Sequence, residues 1–240
     1  MACPTDGVAV PAPRAGGPGR AVVLLSGGLD STVCLGVALR AGHEAWTLSF
    51  DYGQRHRAEL DAAAAVAEAY GIPASRRRVV DLAGLFRGSA LTGEAEVPLD
   101  RTPAEMSQAV PVTYVPARNL VFLSIALAVA EPLGAADLFI GVNALDYSGY
   151  PDCRPEFIAA FEAAARLGTA GGARVHTPLV HLSKAQIARL GQGIGAPLHL
   201  TLSCYQGTVP ACGRCDACLL RRKGFAEAGL EDPLRYAPGS

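Results

Sequence analysis

Ser26-Gly27-Gly28-Leu29-Asp30-Ser31-Thr32 stands between an apolar run, Ala21 to Leu25 (AVVLL), and a segment with helical spacing, Asp30 to Arg40 (DSTVCLGVALR). A short run of leucine and β-branched residues closed by glycines has the pattern of a buried parallel strand. A helix that starts directly after it points its N-terminal amides, and the positive end of its dipole, at the turn. Gly27 and Gly28 let backbone approach an anion closely, and Ser26, Ser31 and Thr32 add hydroxyl donors. Phosphate is therefore expected on the loop from Leu25 to Thr32. Asp30 would repel a bare phosphate, so its presence implies either a Mg²⁺ nearby or a capping role. The Gly-Lys-[Ser/Thr] element of a Walker A loop is absent, and so is Gly-x-Gly-x-x-Gly.

Outward from this turn the periodicity alternates. Strands are expected at Glu44 to Phe50 and Ser75 to Val80, with a helix at Ala58 to Ala69 between them, stopped by Gly71-Ile72-Pro73. Residues 84–112 are irregular and read as a long excursion with the character of a mobile lid. A helix at Asn119 to Ala130, a strand at Ala136 to Val142 and a helix at Arg154 to Ala165 follow. A last short strand is expected at Val175 to Leu179, then a helix at Ser183 to Leu190 capped by Ser183. The βαβαβ order gives an α/β fold, a Rossmann-like open parallel sheet with helices on both faces. Three parts are expected: a flexible Pro/Gly/Ala-rich tail over 1–19, a nucleotide-binding domain over 20–200, and a metal-binding segment over 201–240.

The chain has 240 residues, half of them hydrophobic and 18% charged, which supports a large core and excludes disorder. A net charge of −1 provides no global field for nucleic acid, and no apolar run is long enough to span a bilayer. No secretory signal is visible, so a cytoplasmic protein is expected. Arginine occurs nineteen times and lysine only at Lys184 and Lys223. In such a chain a lysine at a helix start, where a cation is unfavourable, points to function.

Four of the seven cysteines crowd into Cys204, Cys212, Cys215 and Cys218. Two-residue gaps turn neighbouring thiolates onto one ion, which fits a closed tetrahedral zinc site of structural type. An iron–sulfur cluster and a redox dithiol are the alternatives. Arg214, Arg221 and Arg222 are placed to offset thiolate charge, and Cys34 is expected to pack as a small hydrophobe in the first helix.

The heptapeptide matches the S-G-G-x-D-S pattern of pyrophosphate-loop ATPases. Three further segments narrow the match: Asp51-Tyr52-Gly53-Gln54-Arg55-His56-Arg57-Ala58-Glu59-Leu60, Thr113-Tyr114-Val115-Pro116-Ala117-Arg118-Asn119, and Asp146 to Pro155 (DYSGYPDCRP). With the cysteines, this set resembles the 7-cyano-7-deazaguanine synthase family from about Ala21 to Phe225. The resemblance implies an ATP-dependent enzyme that converts 7-carboxy-7-deazaguanine and ammonia, through an adenylate and an amide, to the nitrile used for queuosine. It implies Mg-ATP as substrate, structural zinc and a homodimer, with no direct nucleic-acid or membrane partner.

It also places adenosine near Asp51 and Tyr52. Arg55 and His56 are candidates for phosphate or carboxylate contact, and Arg118 for gripping a carboxylate or phosphate by its fork. Asn119 is either a substrate contact or a helix cap. The loop holding Asp146, Tyr147, Tyr150, Asp152 and Arg154 is expected to stack and read a purine-like base, with Asp146 or Asp152 as the carboxylate. Lys184, Arg118 and Asp30 are the expected catalytic group, stabilising charge rather than acting as a nucleophile. Three other readings use the same motifs: a paralogue that stops at the amide or serves natural-product chemistry, a pyrophosphate-loop enzyme that modifies tRNA, and a non-catalytic nucleotide sensor.

Overall fold

The computed structural model describes residues 19–54, 58–93, 95–108, 110–143 and 150–239. Five parallel strands form one sheet: β1 (Arg20–Leu24), β2 (Glu44–Asp51), β3 (Arg77–Asp81), β4 (Asp137–Phe139) and β5 (Arg174–His176), in the order β3-β2-β1-β4-β5. Between and after them run α1 (Leu29–Arg40), α2 (Ala58–Ala69), a single turn α3 (Pro103–Met106), α4 (Arg118–Leu133), α5 (Pro155–Gly168), α6 (Lys184–Gly193) and α7 (Asp216–Ala228).

The strand pleat explains the two cores. Along β1, Val22 and Leu24 face one side with Leu123 and Ala126 of α4 and Phe161 of α5. Ala21 and Val23 face the other with α1, Val66 of α2 and Ile187 of α6. This period-two alternation is why a run apolar at every position suits a sheet covered on both faces. The chain steps from β1 to β2 and β3 on one side, then returns to β4 on the other. The strand order therefore reverses between β1 and β4, and a crevice opens at their carboxyl ends.

The sheet, its parallel pairing and the helices on both faces are those expected. Three differences bear on the site. The last strand stops at His176 instead of running to Leu179, because Pro178 has no N–H for the ladder. β4 is cut to Asp137–Phe139, and Ile140 to Asn143 leave the sheet to line the crevice. Helix α7 occupies the region from which only metal ligands were expected. It packs against α6 and sends Phe225 into the main core, so the cysteine segment is fused to the sheet domain.

The excursion over 84–112 is tied down at two places. Ala90 N donates to Val112 O at 2.8 Å, and Asp100 N donates to Arg214 O at 2.8 Å in the cysteine segment. Leu91 and Val97 are buried in the core between these ties. Most of the expected tail, residues 1–18, lies outside the described residues, as do Arg55, His56, Asp146 and Tyr147.

Candidate active site and metal centre

The turn from β1 to α1 is built by close packing. Gly27 has φ +83, and a Cβ there would collide with Glu59 O and lie 2.6 Å from Ala63 N at the start of α2. Gly28 takes the N-cap position of α1 without a side-chain cap. Hydroxyls shape the loop instead: Ser26 N donates to Ser31 Oγ at 3.2 Å, and Ser31 Oγ donates to Gly28 O at 3.1 Å. Gly141, beyond β4, lies so near that a Cβ would sit 2.9 Å from Asp30 O. These glycines bring α1, β4 and the turn together around a concave loop of amides and hydroxyls, suited to an anion.

Asp30 and Lys184 meet at this turn. Lys184 Nζ donates to Asp30 Oδ2 at 2.5 Å, although 154 residues separate them. Lys184 opens α6, where Ser183 and Gln186 form a capping box. Among the described residues, Asp30 Oδ1 is buried with no hydrogen-bond partner, and so is Thr32 Oγ1. A carboxylate oxygen left in this state beside a phosphate-type turn fits a divalent cation such as Mg²⁺.

A cavity of about 280 Å³ extends from the turn along the ends of β1, β2 and β4. Leu25, Ser26, Gly28, Leu29, Asp30 and Ser31 line its phosphate end, with Lys184 beside them. Tyr52, Arg118, Asn119 and Tyr150 line its other end, together with the stacked rings of Phe50 and Phe122, 3.8 Å apart. Of the expected site residues, Gly27 and Thr32 are packed behind the loop, and Asp51 is outside the lining, where its Oδ1 accepts from Gly53 N at 3.4 Å.

Arg118 reaches the cavity through an unusual backbone. Ala117, just before it, has φ 57, which costs a non-glycine residue about 1–2 kcal/mol. Ala117 N donates to Tyr114 Oη at 3.1 Å, and the Arg118 guanidinium lies 5.8 Å from the centre of the Tyr52 ring. Burial works against the Arg118 charge, but Tyr52, Tyr150 and Asp152 outweigh it and hold the guanidinium charged. Burial pushes Tyr52 up to about 12, against the pull of Arg118.

The role expected of Asn119 as a helix cap is taken by another residue. Asp152 Oδ2 accepts from Asn119 N at 2.9 Å, and Asn119 Nδ2 donates to Asp152 O at 3.1 Å. Asp152 thus supplies the acceptor that α4 lacks, since Ala117 at the N-cap has no side-chain oxygen. Arg154 starts α5 and is exposed, away from the cavity lining.

Sequence reading assigned no role to Glu59, Gln54 or Ser203, and gave Arg221 only the offsetting of thiolate charge, yet all four line the cavity. Burial raises the Glu59 carboxyl to about 7, against the pull of Arg118. Arg221 is only 1% exposed; it binds Asp232 and reaches Ser203 Oγ at 3.3 Å, which in turn accepts from Leu29 N at 3.4 Å. Glu59 stood within a quoted motif, three residues past the histidine, and an amphipathic reading of α7 would have flagged Arg221.

The four cysteine sulfurs lie within 4.8 Å of one another. Cys212 Sγ and Cys218 Sγ are 3.9 Å apart, close to the roughly 3.8 Å edge of a tetrahedron with metal–sulfur bonds of about 2.3 Å. Backbone amides point at the sulfurs: Cys212 N at Cys204 Sγ, Cys215 N at Cys212 Sγ and Tyr205 N at Cys215 Sγ, at 3.3 to 3.4 Å. Hydrogen bonds from Cys215 and Cys218 drive Cys204 towards thiolate. The set can hold one metal ion. The arginines expected to offset thiolate charge make their direct bonds to other groups, although Arg214 still acts electrostatically with Cys212. Arg221 pairs with Asp232, Arg214 with Asp100, and Arg222 donates to Gly213 O. Cys34 is buried in α1, and burial raises its thiol far above the ordinary range.

A parallel sheet with a phosphate-type turn at its switch point, followed by a four-cysteine module, defines a Rossmann-like α/β fold of pyrophosphate-loop type. The structure of NMN synthetase from Francisella tularensis has the same fold, with a TM-score of 0.50 at 16% identity over 90% of this chain and 79% of that one. The family model described as queuosine biosynthesis protein QueC matches residues 20–229, and the chain belongs to that family. It is 58% identical to a 7-cyano-7-deazaguanine synthase of Solidesulfovibrio magneticus over 92% of this chain and 97% of that protein. It is 55% identical to one of Myxococcus xanthus over 90% and 97%.

Proposed function

We propose that the protein makes 7-cyano-7-deazaguanine from 7-carboxy-7-deazaguanine, ammonia and two molecules of ATP. The observation that carries this reading is the single cavity that joins the Ser26–Thr32 turn and Lys184 at one end to Arg118 at the other. The family match supports the same product.

In the first half-reaction a carboxylate oxygen attacks the α-phosphorus of ATP, and pyrophosphate leaves. Ammonia then attacks the carboxyl carbon, one proton is lost and AMP departs with the oxygen, leaving an amide. In the second, the amide oxygen attacks the α-phosphorus of another ATP. Loss of the two amide N–H protons and of AMP gives the nitrile. Both halves need an oxygen made into a leaving group, so one ATP site serves twice.

The amides and hydroxyls of the turn bind phosphate oxygens. Lys184 offsets charge on the pentavalent phosphorus and the leaving pyrophosphate. Arg118 holds the substrate carboxylate by its fork, in line with the α-phosphorus. Asp30 Oδ1 would hold a Mg²⁺, which supplies charge neutralisation of the triphosphate. Cys204, Cys212, Cys215 and Cys218 hold structural zinc, a closed site with no role in the chemistry. Ammonia is taken as the free base, the protein acts as a cytoplasmic homodimer, and no nucleic acid or membrane takes part. No helix among the described residues is long and apolar enough to cross a membrane.

The test is incubation of zinc-replete protein with 7-carboxy-7-deazaguanine, Mg-ATP and ammonium, with products read by mass spectrometry. Nitrile and AMP are expected in a ratio of one to two. Amide as the end product would assign the shorter reaction, ADP would break the adenylation scheme, and absence of turnover would overturn the enzymatic reading.

A further inference from the structure

Five charged side chains line the cavity among the described residues: Asp30, Glu59, Arg118, Lys184 and Arg221. Three are already matched. Asp30 is bonded to Lys184, and Arg221 to Asp232. Glu59 and Arg118 remain. Arg118 acts electrostatically on Glu59 and hydrogen-bonds the Tyr52 hydroxyl, yet among the described residues no ion pair within 4 Å joins Glu59 or Arg118 to any partner.

Opposite charges facing one cavity without touching are costly unless something bridges them. The walls between are apolar and flat, with Phe50 and Phe122 stacked at 4° to each other and Leu48, Ile140 and Val142 nearby. A bridging ligand would therefore be a planar ring with an anion at one end and hydrogen-bond donors at the other. Given the function proposed above, on which this inference rests, 7-carboxy-7-deazaguanine has that form: its 7-carboxylate lies across the ring system from its N1–H and 2-amino donors.

The competing acceptors are committed. Asp152 Oδ2 takes the Asn119 amide. Gln54 Oε1 takes the Tyr52 amide at 2.8 Å, and its Nε2 donates to Phe50 O at 3.2 Å. Asn119 Nδ2 is used on Asp152 O. Among the described residues lining the cavity, Glu59 is the carboxylate left, and its two oxygens match two adjacent N–H donors. We propose that Glu59 reads the N1–H and 2-amino edge of the substrate ring, while Arg118 holds the carboxylate at the opposite end.

Selectivity for the 2-amino group follows. A site built to accept from an N–H group rejects an analogue lacking it, because the buried acceptor is left unpaired. Calorimetric titration of the full-length, zinc-loaded protein with 7-carboxy-7-deazaguanine, and with the same compound lacking the 2-amino group, measures this directly. Wild type is expected to prefer the amino compound by roughly 10–100-fold. Glu59→Gln, which presents a donor to a donor, should lose most of that preference while binding Mg-ATP as wild type does. Glu59→Asp, which keeps a carboxylate, should bind more weakly and keep it.

Unfolding curves and zinc content show whether each variant is folded. Because Glu59→Asp retains the charge, a general loss of structure cannot mimic the expected split. Equal preference in wild type and Glu59→Gln, or a loss of affinity by the same factor for both compounds, overturns the assignment of Glu59. If wild type also converts 7-carboxy-7-deazaguanine to the nitrile, only that assignment falls. If it neither binds nor converts the compound, both readings fall.

Discussion

Lys184 Nζ lies 2.5 Å from Asp30 Oδ2, so the first residue of α6 meets the second residue of α1 beside the phosphate-type turn. A cation at a helix N-terminus opposes the dipole, and the Asp30 carboxylate offsets that cost. Gly224 of α7 faces Lys184 Cβ so closely that any side chain there would collide with it. Three elements far apart in sequence thus fix one ammonium group.

Replacing Lys184 with Met is expected to lower kcat by about 100–1000-fold, the usual cost of losing one group that stabilises developing charge. KM for the carboxylate substrate should change little, because Arg118 holds that end. Lys184→Arg should not restore the rate, since a planar fork does not replace a compact ammonium. Steady-state kinetics of AMP release checks both. An unchanged kcat in Lys184→Met would remove Lys184 from the catalytic group.

The turn itself can be tested at Gly27. An alanine there would have to adopt φ +83 and push its Cβ into Glu59 O and Ala63 N. Left-handed strain and the backbone collision together should cost about 2–4 kcal/mol, seen as a fall in Tm of roughly 5–10 °C. Because Glu59 is the residue struck, the variant should lose affinity for the base as well as for ATP. Thermal unfolding and two separate titrations test this, and a wild-type Tm would contradict the close packing described.

The sheet and the phosphate turn were legible because each rests on local signals: an apolar run with glycines for the strand ending, and 3.6-residue spacing for α1. The cysteine cluster was legible because metal ligands need short, fixed gaps. What sequence left open was which partners meet across long separations. Asp146 and Asp152 were equal candidates for base reading, and spacing has no means to show that Asp152 is used on the Asn119 amide, 33 residues away. Glu59 stood in plain view, yet its exposure to Arg118 arises only when α2 packs under Gly27. Strand ends were misjudged where proline removed a ladder donor, as at Pro178.

Metal removal should reach beyond the cysteines. Leu99 bridges to Cys215, Asp100 pairs with Arg214, and Arg101 pairs with Asp216. The strap over residues 95–102 is therefore held by the metal-binding segment. Chelation of the metal, or Cys212→Ser, is expected to raise amide hydrogen exchange at 205–218 and also at 95–102, while β1 and β2 stay protected at first. Because Leu91 of the same excursion lines the cavity, substrate affinity should fall too. Loss of protection confined to the cysteines would uncouple the strap from the metal.

At the opposite end of the sheet, Asp137 is buried at the start of β4, where it accepts from Arg174 Nε at 2.9 Å and bonds His176 Nε2 at 2.8 Å. His43 Nδ1 lies 3.8 Å from its second oxygen. Burial raises its carboxyl, but His176, Arg174 and His43 outweigh that and hold it below the ordinary value. A carboxylate lowered on folding contributes stability that is complete above its unfolded value, about 3.9, and is lost as pH falls through the folded value. Asp137 therefore stabilises the protein throughout the neutral range and fails only in strong acid. Asp137→Asn should cost about 2 kcal/mol at pH 7, or roughly 4–8 °C in Tm. The gap between wild type and variant should begin to narrow below about pH 4, where the unfolded carboxyl takes up its proton, and close as pH falls through the lower folded value. Urea unfolding of both proteins from pH 7 to pH 3 measures that gap. A constant difference across the range would mean that Asp137 acts by shape and not by charge.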